Sequence, residues 1–199
     1  MSGFSMNTPV EGGVRITDDV LTVGTVNTAS GTVSAVHDQF GPFVRSTFTL
    51  SAASITVTDA GGSGSHGSLK LHDLPEGAIA FLGCRQNYTA FAEGAALTGA
   101  AGDAAFEIGV GTTAISAAAD GTLGNGVNEN VGQAVSVTLS GGTGTGTAVD
   151  GPKTTALDGT TTALDLNLNW SGTAATIDAT STITATGTIT VLWCNMGDD

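Results

Sequence analysis

The stretch TSTITATGTITVLWC, residues 180 to 194, decides how this chain folds. From Ser181 the odd positions carry Ile183, Ala185, Gly187, Ile189, Val191 and Trp193, while Thr182, Thr184, Thr186, Thr188 and Thr190 fill the even ones. Side chains alternate between faces along a strand, so this period of two lays one apolar row on a core and a threonine row on the opposite surface. Threonine is β-branched and suits the extended backbone, so even the polar row supports the strand. A helix would scatter the threonines around its whole circumference, against their propensity. At Val191 and Leu192 both faces turn apolar, which predicts a strand end covered on both sides.

Composition extends that reading to the whole chain, whose 199 residues suit one domain of ordinary size. Its 30 Gly and only 10 aromatic residues (7 Phe, 2 Trp, 1 Tyr) predict many short strands, glycine-rich turns and a thin core of small and β-branched side chains. A thin core predicts burial completed by other subunits. The net charge of −13, from 18 acids against 5 bases, repels phosphate and argues against direct binding of nucleic acid. Mean hydropathy of +0.22 with 12% charged residues opposes disorder. The opening MSGFSMNTPVEGG has neither the basic region nor the apolar run of a leader, and no stretch approaches a membrane-spanning helix, so no membrane partner is expected. Cys84 and Cys194 each end an apolar run; two buried thiols and a disulfide are both open.

Working outward from the last strand, odd–even alternation predicts strands at 44–50, 78–84, 104–110 and 162–170 beside 181–193. The apolar parity changes within Ser51–Ala53, which predicts a bulge or tight connection there. AIAFLGC, residues 78 to 84, reads as a central strand covered on both faces. DAGGSGSHGS (59 to 68) and GGTGTGT (141 to 147) read as loops, and 113–119 as a short helix or turn. Residues 1–36 read as an N-terminal arm with weak strands around 20–36, and 37–199 as a single domain with glycine-rich loops. Within the arm, Val20, Leu21, Val23 and Val26 lack a firm local pattern yet need an apolar partner, so they are the candidate partner-binding residues. Roughly eight to ten strands of this spacing predict an all-β fold, an antiparallel β-sandwich with the jelly roll among its forms.

Chemistry finds little footing. His66, His72 and Asp73 are the one histidine–acid cluster close in sequence, but their expected loop and turn positions do not converge as a zinc site requires. Neither glycine run is followed by the Lys-Ser/Thr of a phosphate loop, and Gly62-Ser63-Gly64-Ser65 lacks the strand–turn–helix setting of a nucleophile elbow. No catalytic, metal or cofactor site is expected, and the chain does not read as an enzyme. The sequons at Asn87 and Asn169 have no secretion signal to give them meaning.

LKLHDLPEGAIAFLGC (69 to 84), GSHGSLKLHDLPEG (64 to 77) and the ending TGTITVLWCNMGD (186 to 198), with Trp193, Asn195, Gly197 and Asp198, resemble structural proteins of tailed phages of marine and aquatic bacteria. The resemblance implies a capsid-associated β-sandwich, a decoration or cement protein on the virion's outer capsid surface, with the major capsid protein as partner. It also implies a homotrimer, since phage cement proteins commonly sit at threefold axes. It assigns no residue a role. Another virion part, such as a tail, fibre or shell subunit, and a secreted adhesin or carbohydrate-binding sandwich are the alternatives.

Overall fold

The last strand is the spine of the molecule. In the computed structural model, which describes residues 25–26, 32–59, 64–93, 105–116, 123, 127–138, 143–150, 157–172 and 181–197, it runs Ser181–Asn195. Ile183, Ala185, Ile189, Val191 and Trp193 are buried, and the threonines between them are half-buried. The alternation continues to the end: Leu192 and Cys194 stay half-exposed, so that end is covered on one side and not on both. The described strands are β1 (Thr25–Val26), β2 (Val33–Phe40), β3 (Phe43–Asp59), β4 (Ser65–Asp73), β5 (Gly77–Glu93), β6 (Ala105–Gly111), β7 (Gly132–Thr138), β8 (Thr143–Asp150), β9 (Leu157–Gly159), β10 (Asp165–Gly172) and β11 (Ser181–Asn195).

All pairings are antiparallel, and eight strands follow the order β7-β6-β10-β4-β3-β11-β5-β8. Strands β1, β2 and β9 add to β4, β3 and β5 beside this path. The two ends of the path meet, so the sheet nearly closes into a barrel: a Cβ added at Gly146 on β8 would lie 2.7 Å from Val135 Cγ1 on β7. On β5, Gln86 Nε2 donates to the Gln133 carbonyl on β7 at 2.8 Å and Gln86 Oε1 accepts the Tyr88 hydroxyl at 2.7 Å. Burial pushes the Tyr88 phenol well above its ordinary pKa, which keeps that donor in place. Inside, a chain of rings runs Tyr88–Phe91–Phe106–Trp170, with centroids 5.0, 5.4 and 5.2 Å apart. Aromatic contacts of this kind fill a width that small side chains alone leave open.

The parity change at Ser51–Ala53 is a bulge. Ala53 pairs with Ala185 and Leu50 with Gly187, Ala52 takes φ 53°, and its N–H donates to Thr186 Oγ1 at 3.1 Å. Two glycine stretches read as loops are partly strand. Ser65–Gly67 opens β4 because a Cβ at Gly67 would lie 2.5 Å from the Thr56 carbonyl oxygen, so glycine there permits close approach of β3. Thr143–Thr147 opens β8, where threonine favours extension and Gly146 makes room for Val135. AIAFLGC is the start of the longer β5, and its outer face, Ala78, Ala80 and Leu82, is half-exposed. Of residues 113–119, read as a short helix or turn, 113–116 form a bend and irregular chain, and 117–119 lie outside the described residues. Cys84 and Cys194 are not joined by a disulfide: Cys84 is buried inside, while Cys194 lies on the outer face of the neighbouring strand.

Gly187 faces the β3 bulge across the ladder with φ 153°, and an added Cβ would lie 2.2 Å from the Asn87 carbonyl oxygen. Gly187→Ala should destabilise the fold by about 2–3 kcal/mol, combining backbone strain with a backbone clash. A chemical denaturation midpoint unchanged by the substitution would contradict this account of β11.

Candidate interaction face and the seam beneath it

The sheet parts where β3 and β4 diverge. These strands pair only from Val57 to Asp59 with Ser65 to Gly67; beyond that, β2 lies along Phe43–Leu50 of β3, and β1 lies against His72 and Asp73 of β4. Val26 of the candidate arm residues therefore pairs with His72 of its own chain, while Val20, Leu21 and Val23 lie outside the described residues. The seam between the two rims is closed from inside by side chains. His37 on β2 stacks its ring 4.9 Å from that of the fully buried His72, and Phe48 meets both, at 6.2 and 5.5 Å.

Ser46 Oγ anchors the seam. It accepts the Trp193 indole N–H at 2.9 Å and lies 2.8 Å from His37 Nδ1. Indole can only donate, so Ser46 Oγ is the acceptor toward Trp193, while the direction of its contact with His37 follows the histidine tautomer. A serine beside an imidazole is also the first half of a nucleophilic dyad. Ser46 is 1% exposed, and through these two contacts it ties β2, β3 and β11 together.

The histidines read together from sequence are separated. β4 bulges opposite Leu166 and Asn167 of β10, which turns His72 inward, while His66 stays on the outer side with Ser68. Asp73 forms a salt bridge with Lys70, which also meets Asp165 at 2.9 Å. Its hydrogen bond from Lys70 holds the Asp73 carboxyl below its ordinary range. Among the described residues no three histidine, cysteine or acidic side chains gather as a metal site would need.

Over the outer side of β10 lie the described parts of the connection between β6 and β7, and its Ile115 and Leu123 are buried. Asn169 holds it. Its Oδ1 accepts from Ser68 Oγ at 2.8 Å and from the Ile115 N–H at 3.0 Å; its Nδ2 donates to the carbonyls of Thr113 and Asn128 at 2.9 and 2.8 Å. All four hydrogen-bonding positions of the amide are filled. Short amides, Asn167 and Asn169, occupy this polar row where an exposed strand would carry threonine or charge, and that was the available sequence signal.

Among the described residues, no segment lies over the opposite outer face, on β2, β3, β11 and β5. Phe40 pairs with Phe43 across the Gly41–Pro42 turn, Cys194 pairs with both Phe43 and Ala80, and Met196 follows two residues on. Val36, Phe40, Phe43 and Met196 are 63, 53, 42 and 59% exposed, four of the five large exposed apolar side chains among the described residues. Arg45 lies beside them, bridging to Asp38 at 2.6 Å with its guanidinium 5.5 Å from the Phe40 ring centroid. None of these residues was singled out from sequence as a contact, because periodicity alone does not say which outer face stays uncovered.

No family model, curated protein or solved structure matches this chain.

Two results follow from the polar centres. Asn169→Asp should cost about 2–4 kcal/mol, because a carboxylate would face two carbonyl oxygens and leave both without a donor; an unfolding midpoint equal to that of the unaltered chain would contradict the clamp. Burial depresses the His37 pKa below 6.5, with Asp38 opposing more weakly. The unfolded chain then binds that proton more readily, so the contribution to stability is full above the ordinary value and is lost as pH falls through it toward the folded one. His37→Phe removes this titration. The stability advantage of the unaltered chain over the variant should therefore shrink between neutral and mildly acidic pH, and an advantage constant across that window would contradict it.

Proposed function

We propose that this chain is a virion structural protein, a decoration or cement protein that binds the outer surface of an assembled capsid through the major capsid protein and stabilises the shell. The observation that carries the reading is the seam: an N-terminal segment, β1, lies as an added strand on β4, while β2 follows the other rim. A segment that adds to a sheet by main-chain pairing uses the same physics by which an arm joins a neighbour's edge. The residues leading to β1, with Val20, Leu21 and Val23, are the contact we assign to the shell. The resemblance of residues 64–84 and 186–198 to phage structural proteins supports the same reading, as does a surface whose charge of −13 disfavours nucleic acid. We read the nearly closed sheet as a flattened sandwich of jelly-roll type, with the Phe91–Phe106 ring contact joining its layers.

Removing residues 1–23 spares β1 and tests the arm. The intact chain should co-sediment with purified capsids of the phage that encodes it, at low and high salt alike, and the truncated chain should lose most of that binding. Equal binding by both chains would sink the arm. An intact chain that never co-sediments, or that is missing from purified virions by mass spectrometry, would sink the decoration reading and favour an adhesin or fibre module.

A further inference from the structure

We propose that a second copy of this chain docks on the open apolar corner, pairing the two molecules about a two-fold axis. The first observation is the clustering of exposed apolar side chains. Phe40, Phe43 and Met196 together present on the order of 300 Å² to solvent, at the lower end of the range of functional surface patches, and Val36 follows beyond the Asp38–Arg45 bridge. That is less than the ~800 Å² per partner of a standard interface. The contact must therefore take in neighbouring residues of the same face.

The second observation is the order of charge along the strands. Register across β3, β11 and β5 places Phe43, Cys194 and Ala80 in one row, Arg45, Leu192 and Gly83 in the next, and Thr47, Thr190 and Arg85 in the third. On the other side of the apolar rows, Ala78 pairs with Asp158, which is exposed, as is Glu76 at the preceding turn. Acid, a mainly apolar band that also holds the internally paired Asp38 and Arg45, and cation thus follow one another along the strand direction. The band at residues 80–83 of β5 lies midway between position 78, beside Asp158, and Arg85. A two-fold axis through the band and across the strands inverts that order in the partner. Arg85 of each copy then faces the level of Asp158 in the other, and the apolar rows face one another.

Charge also disfavours most other pairings. Two chains of −13 repel, and five basic residues cannot offset acids over a whole surface. On the corner itself, Asp38 and Arg45 already balance within one chain. A two-fold contact needs one self-complementary patch, whereas a threefold ring needs two different surfaces that fit each other. The described residues present the former, which departs from the homotrimer that the family resemblance implies.

The test is sedimentation equilibrium of the full chain over a concentration series reaching tens of micromolar, with no capsid present, so that its outcome is independent of shell binding. The expected species is a dimer. Phe40→Ser with Phe43→Ser should raise its Kd at least tenfold, as should Arg85→Glu, which sets acid against acid. Both sites are exposed, and thermal unfolding checks that the variants fold; should the phenylalanine variant fail, Arg85→Glu alone decides. A monomer throughout, a trimer, or a dimer indifferent to Arg85→Glu would overturn the proposal.

Discussion

β11 is hydrogen-bonded along both edges, to β3 on one side and to β5 on the other, and every other part of the fold is placed relative to it. A strand paired on both sides leaves no backbone group of its middle to water, so its register is fixed twice. One slip by a residue would send Ile183, Ile189 and Val191 outward on the core side and bring the threonines in. The bulge at Ala52, with Gly187 facing it across the ladder, reconciles that register with β3, whose apolar parity changes at the same level. Closure of the sheet follows from the same requirement, since bringing β8 against β7 limits the edges left open to other chains.

Polar groups inside this sheet do what a core poor in aromatic residues cannot. Ser46 joins three strands through Trp193 and His37, Gln86 joins β5 to β7, and Asn169 holds a returning loop through four hydrogen bonds. Each such bond adds only about 1 kcal/mol, but leaving a buried partner unmade costs more, so these groups select one arrangement out of many apolar ones. The groups that looked chemically capable are thereby used. His37 and Ser46 hold a seam, and His72 packs against Phe48 instead of meeting His66.

How far the sequence was legible depended on what each signal measures. Alternation measures exposure on two faces, so β3, β6, β10 and β11 and the parity change at Ser51–Ala53 stood out. It fails where a residue is chosen for what it lacks. Gly67 and Gly146 sit in strands because a neighbour comes too close for a Cβ, yet beside other glycines they look like loop. It also fails where two faces are buried for different reasons: Asn169 reads as a solvent-facing residue until the connection from β6 lies over it. Bulges defeat simple counting, as His72 shows, because one extra residue in β4 exchanges its inner and outer rows.

β2 has to satisfy two opposed demands, and its sequence divides them between its faces. Inward, Val33, Ala35 and His37 attach it to the interior; outward, Val36, Asp38 and Phe40 face solvent. A strand at a rim invites unlimited pairing through its free main chain, and proteins restrain that with charge, turns and short length. Here the Asp38–Arg45 bridge lies across β2 and β3, and Pro42 and Gly41 end the hairpin two residues past Gln39. Phe40 and Phe43 stand at that end, where the apolar surface is bounded by a turn on one side and by Arg45 on the other. Such a surface can be covered by one neighbour and then offers no further edge to extend, which separates defined association from aggregation.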